Sequence, residues 1–97
     1  MMSVKEQLYY LIKHVKLGDY DINTFCDMFT NLVNLEMWKE EFTEKETIVF
    51  NELNKYTSRF SPFEEDLKLP NVFYDEKAIK EQIDIALKDL EIDIVSQ

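Results

Sequence analysis

Apolar residues recur along this chain at helical spacing in separate stretches, divided by polar breaks. In the first stretch Val4, Leu8, Leu11, Ile12 and Val15 fall on one face, which predicts a helix from about Ser3 to Leu17. Ser3 and Glu6 have capping-box spacing at its start, and Gly18 sits where a left-handed C-terminal cap belongs. Tyr10 and His14 project away from the stripe. A second helix begins near Asp21 to Thr24, capped by Asp21 or Asn23, with Phe25, Met28, Phe29, Leu32 and Leu35 as its stripe. The same period would carry Glu36 into the middle of that stripe. An unpaired carboxylate is costly to bury, so the helix is expected to end or bend near Asn34 to Met37. Met37 to Phe42 reads as a connector with apolar anchors.

A third helix starts at Thr43, with Glu46 at capping-box spacing. Val49, Leu53, Tyr56 and Phe60 define its buried line, flanked by Phe50 and Thr57, and Ser61-Pro62 stops it because a residue before proline avoids helical geometry. Phe63 to Tyr74 is a long connection whose Leu67, Leu69, Val72 and Phe73 suggest that it lies along the body of the protein. Asp75 caps a last helix, with Ile79, Ile83, Ala86, Leu87, Leu90 and Ile94 facing inward. Four amphipathic helices with a long third connection predict an all-α, antiparallel four-helix bundle in one domain, residues 1–97. No internal repeat and no sustained heptad interrupts that reading.

Charge changes the picture from fold to function. The chain carries 20 acidic and 11 basic residues, a net charge of -9. The surplus gathers in two segments, both inter-helix connections with their flanks: Glu36, Glu40, Glu41, Glu44 and Glu46, then Glu64, Glu65, Asp66, Asp75 and Glu76. An acidic surface attracts basic partners and repels nucleic acid. Glu46, Asp75 and Glu76 also have an ordinary reading, because carboxylates in a helix first turn offset the helix dipole. No run of about 18 apolar residues occurs, and no signal-type leader opens the chain, so a cytoplasmic protein without a membrane segment is expected. A single cysteine cannot form an internal disulfide.

Chemistry is scarce. With one His, one Cys and one Gly, the chain lacks a phosphate-cradling glycine loop, a Cys/His zinc set and a calcium-loop pattern. The residue three before His14 is Leu11, so the Glu-x-x-His pairs of a di-iron bundle are missing too. No cofactor and no metal are expected. The sharpest catalytic alternative is a Cys26–His14 dyad, since a thiol early in a helix can be acidified. No orienting third residue is evident, and such a cysteine is more often a small core hydrophobe. A carboxylate pair such as Glu40/Glu41 has no pocket pattern around it.

The second half reads Phe50-Asn51-Glu52-Leu53, then Tyr56, then Ser58-Arg59-Phe60-Ser61-Pro62-Phe63-Glu64-Glu65-Asp66. An aromatic approach, Asn71-Val72-Phe73-Tyr74-Asp75-Glu76, leads into the last helix. The first half places Leu17-Gly18-Asp19-Tyr20-Asp21-Ile22-Asn23-Thr24-Phe25 between two helices. Over nearly its whole length the chain resembles the self-protective colicin-like immunity proteins, the family of the colicin D immunity protein. The resemblance implies a four-helix bundle that binds and blocks a co-produced toxin domain, in the colicin D case a transfer-RNA-cleaving ribonuclease. It implies a non-enzyme that meets a basic nuclease domain, of bacteriocin or contact-dependent type; a monomer or weak dimer is expected, since exposed aromatics permit a dimer without requiring one. The physics agrees, because a nuclease holds phosphates in a cationic cleft that an acidic protein can cover. On this reading the partner-binding residues are Phe63, Glu64, Glu65, Asp66, Tyr74, Asp75 and Glu76, with Phe63 and Tyr74 as apolar anchors. The alternative is a non-catalytic helical adaptor that relies more on an apolar groove than on charge.

Overall fold

The computed structural model describes residues 2–61, 63, 65, 68 and 73–92. Helix α1 (Val4–Lys16) opens with a reciprocal cap. Ser3 Oγ accepts the Glu6 N–H at 3.1 Å, and the Glu6 carboxylate accepts the Ser3 N–H at 3.3 Å. All five stripe residues, Val4, Leu8, Leu11, Ile12 and Val15, are buried. Leu17 caps the C-terminus, and Gly18 then takes φ +92°, a left-handed conformation that a side chain would strain.

Helix α2 (Ile22–Leu35) is capped by Asp21, whose Oδ1 accepts the Thr24 N–H at 2.7 Å. That backbone hydrogen bond holds the Asp21 carboxyl below its ordinary value. The buried face differs from the expected stripe. Ile22, Phe25, Cys26, Phe29 and Val33 are buried, Leu32 is half-buried, and Met28 and Leu35 are exposed. Apolar residues occupy more than one side of α2, and packing against α1 and α3 selects the side centred on Phe25 and Phe29. The helix ends at Leu35 with Glu36 as its C-cap, as the cost of burying that carboxylate predicts. A 3-10 turn, Met37–Lys39, follows.

Helix α3 (Glu44–Thr57) repeats the reciprocal cap: Thr43 Oγ1 accepts the Glu46 N–H at 3.0 Å and Glu46 accepts the Thr43 N–H at 2.9 Å. Val49, Phe50, Leu53 and Thr57 are buried, whereas Tyr56 and Phe60 are only half-buried. The helix stops at Thr57, before the Ser61-Pro62 break, because the following backbone has other partners. Arg59 C=O accepts the Tyr74 N–H at 2.9 Å, and the Ser61 N–H donates to Tyr74 C=O at 3.1 Å. This parallel bridge between Phe60 and Tyr74 ties the two ends of the long connection together. Helix α4 (Glu76–Asp89) starts at Asp75, whose Oδ1 accepts the Ala78 N–H at 2.9 Å, and buries Ile79, Ile83, Ala86 and Leu87. Leu90 is half-buried at its C-cap, and Ile94 lies outside the described residues.

The helices of the described residues form an antiparallel four-helix bundle. Helix α1 packs on α2 and α4, and α3 packs on the same two from the other side. Phe25, Phe29 and Phe50 fill the centre with Leu8, Ile12, Leu53 and Ile79. Among the described residues, no helix is long and apolar enough to cross a membrane.

Candidate functional site

The binding surface was expected at the second acidic segment, and the described acids of the two segments lie towards different ends of the bundle. Glu40 accepts the N–H groups of Val4 and Lys5 at 2.6 and 3.1 Å, so the first segment sits at the N-terminus of α1. Glu76 lines a cleft of about 490 Å³ together with Lys16, Gly18 and Tyr20, so Glu76 and the preceding Asp75 sit at the C-terminus of α1. The 13 residues of α1 separate these from Glu40 by roughly 20 Å at 1.5 Å per residue. Glu40 and Glu76 therefore do not belong to one local cluster.

Much of the first segment is occupied structurally. Glu40 caps α1 from 35 to 36 residues away, supplying charge-assisted acceptors for two orphan amides at the positive end of the helix. Glu40→Ala is expected to destabilise the protein by about 1–2 kcal/mol, read from urea midpoints. A change within about 0.3 kcal/mol would mean that water satisfies these amides equally well. Glu46 is 9% exposed and accepts hydrogen bonds from Tyr9 Oη at 2.7 Å and from the Thr43 N–H, with Lys5 Nζ at 3.3 Å. Burial pushes its carboxyl up, but the Thr43, Tyr9 and Lys5 hydrogen bonds and the Lys5 charge outweigh this and hold it below the ordinary value. Glu36 pairs with Lys39 at 2.6 Å. Glu41 and Glu44 remain exposed, with no side-chain partner among the described residues.

The second segment is divided as well. Asp75 is the α4 cap, and Glu76 lies 3.4 Å from Lys80. Tyr74 is half-buried and packs on Tyr56 with ring centroids 4.4 Å apart, so it anchors the connection as well as offering an edge to solvent. Phe63 is 67% exposed, and Glu65 is exposed with its side chain unpartnered among the described residues. Glu64 and Asp66 lie outside the described residues. The cleft beside Glu76 is closed electrostatically by its own pairs, since Lys16 binds Asp84 at 2.7 Å and Lys80 meets Glu76.

A surface that sequence reasoning missed runs along α3 and α4. Ile48 is 61% exposed and Ile85 50% exposed, and both line one shallow groove with Val49, Leu53 and Ala86 in its wall. Glu52 and Asp89 border that groove, and Glu44 and Lys45 extend it towards the start of α3. Among the described residues Glu44, Glu52 and Asp89 have no ion pair and no side-chain hydrogen bond. The available signal was the position of each isoleucine: Ile48 and Ile85 fall outside the inward stripes of their own helices.

Cys26 and His14 have separate surroundings. The Cys26 thiol is buried and pushed up to about 12, first by burial and then by the nearby Asp27 charge. A thiol nucleophile needs the opposite shift. His14 Nδ1 lies 2.5 Å from Asp19 Oδ2, and its ring stacks on Tyr10 at 4.0 Å. Among the described residues, no group of three or more His, Cys, Asp and Glu is placed to hold a metal ion. No protein family, curated protein or solved structure matches the chain.

Proposed function

We propose that this protein is a non-catalytic inhibitor that binds and occludes a basic nuclease toxin domain, in the manner of a bacteriocin immunity protein. The observation that supports this reading is the division of its carboxylates. Glu40, Glu46 and Asp75 serve the fold, while Glu41, Glu44, Glu52, Glu65 and Asp89 face solvent with no cationic partner among the described residues. Unpaired surface charge costs little in water and gains much opposite a cationic cleft, where it takes the place of phosphate. Exposed Phe63 would supply an apolar anchor, with Glu65, Tyr74, Asp75 and Glu76 as the other described residues of this reading; Glu64 and Asp66, also assigned to it, lie outside the described residues. Inhibition needs only coverage of the cleft, so no group of the inhibitor has to react.

The test is growth rescue with binding kinetics. The C-terminal domain encoded by the adjacent upstream reading frame is expressed in a bacterial host with and without this chain. Relief of toxicity is expected, with a 1:1 complex whose association rate falls about tenfold or more between low salt and ~0.5 M salt. Toxicity that persists at full expression of this chain would reject the pairing. The exposed Ile48–Ile85 groove favours a second reading, a helical adaptor held by apolar contact. Tight binding to a protein partner with little salt dependence would support that reading.

A further inference from the structure

The geometry points to the α3/α4 face, centred on Ile48 and Ile85, as the docking surface for a basic protein segment that carries its own apolar side chains. This inference rests on the basic-partner part of the reading above, sets that partner on a different face from Phe63 and Tyr74–Glu76, and does not need the partner to be a nuclease.

Single exposed apolar residues are common and need no explanation. This pair differs in three respects. The two isoleucines stand on adjacent antiparallel helices and border the same groove, whose wall is made by Val49, Leu53 and Ala86. Their exposed strip is thus continuous with the core. Isoleucine also gains little at an exposed helix position, because its β-branched side chain loses rotamer freedom there and unbranched residues form helix better. Neither propensity nor burial among the described residues accounts for the pair. Finally, the rim carries Glu44 and Glu52 from α3 and Asp89 from α4, each without a side-chain partner among the described residues, against Lys45 alone. An apolar centre with a charged, solvated rim is the anatomy of a protein interface, and the sign of this rim selects a basic partner.

A second copy of the chain fits less well. Isologous pairing of this face would set Glu44, Glu52 and Asp89 against the same acids, in a molecule of net charge -9. A basic amphipathic helix meets both requirements, seating apolar residues between Ile48 and Ile85 and cations over the rim.

The experiment is a 15N NMR titration of the full chain with a synthetic amphipathic helix built from lysine and leucine. Amide shifts are expected to concentrate at positions 44–52 and 82–89. Affinity should fall about tenfold in Ile48→Ser/Ile85→Ser and again in Glu52→Lys/Asp89→Lys. Both pairs are exposed, so the variants retain the core, and their circular dichroism is expected to match that of the parent. Shifts centred on Phe63 and Tyr74–Glu76, shifts spread evenly over the surface, no binding, or unchanged affinity in both variants would each overturn the inference. So would concentration-dependent shifts of the same amides without peptide, which would assign the face to a second copy. If growth rescue fails while the peptide maps to this face, the nuclease reading falls and the surface stands. If rescue succeeds and is unaffected in both variants, the surface falls and the inhibitor reading stands.

Discussion

Phe50→Ala is expected to cost about 3–5 kcal/mol and to lower the melting temperature by roughly 15–30 °C. Phe50 is 0% exposed and sits among rings from α1, α2 and the connector between α2 and α3. Its ring takes edge contacts from Tyr9 on α1 and Phe42 in the connector, both at 5.7 Å, and from Phe29 on α2 at 6.2 Å. Removing it deletes apolar transfer energy and leaves a void that aromatic neighbours from three elements cannot collapse to fill, because each ring is fixed by its own backbone. A domain of this size has about 5–15 kcal/mol of total stability, so the variant would be marginal at 37 °C. Urea and thermal melts followed by circular dichroism measure the loss. A destabilisation below about 1.5 kcal/mol would mean that the centre is looser than these contacts imply. Phe50→Leu keeps most of the volume and should recover more than half of the lost stability.

How much of this was legible beforehand depends on how local each cause is. The Ser3–Glu6 and Thr43–Glu46 boxes, the Asp21 and Asp75 caps and the Gly18 turn are all present, because each depends on residues within one helical turn. The α1 stripe was readable in full, since only one face of that helix is apolar. Helix α2 was not, because Ile22, Cys26 and Val33 compete with Met28, Leu32 and Leu35, and only packing against α1 and α3 decides between them. The end of α3 moved forward because Tyr74, far along the chain, claims the backbone after Thr57. The site followed the same rule. That Asp75 caps a helix was visible; that Glu40 caps α1 was not, since no local pattern announces a partner more than 30 residues away. Treating the acids of one segment as a single cluster therefore overstated its free charge. The Ile48–Ile85 groove needed the pairing of α3 with α4 before two stray isoleucines became one surface.

Glu46 shows how a residue legible as a local cap acquires a larger role through long-range contacts, and it supplies the second large effect. Glu46→Ala is expected to cost about 3 kcal/mol, more than the roughly 1 kcal/mol of an ordinary cap. The substitution removes the acceptor of the Thr43 N–H and of Tyr9 Oη, and takes the counter-ion from Lys5. Much of the loss comes from leaving the half-buried Tyr9 hydroxyl unsatisfied. Tyr9→Phe in the Glu46→Ala background should accordingly cost far less than in the parent, with a coupling of about 1.5 kcal/mol. The pair also fixes the pH dependence. The Glu46 carboxyl is held below its ordinary value in the fold, so its contribution is present above the unfolded value near ~4.3 and is lost as pH falls through the folded one. Tyr9 behaves in the opposite sense: burial first, then its hydrogen bond to Glu46 and that residue's charge, raise it from 10.0 to about 12. Its contribution is full below pH 10 and is lost as pH rises through about 12. Stability measured by urea at pH 3, 4 and 7 should therefore fall less steeply with acid in Glu46→Gln than in the parent. Ring NMR should show Tyr9 titrating closer to 10 in that variant. Equal acid slopes with an unmoved Tyr9 would show that the carboxylate's charge is not what holds α1 to α3, and would leave shape complementarity around Phe50 to do it.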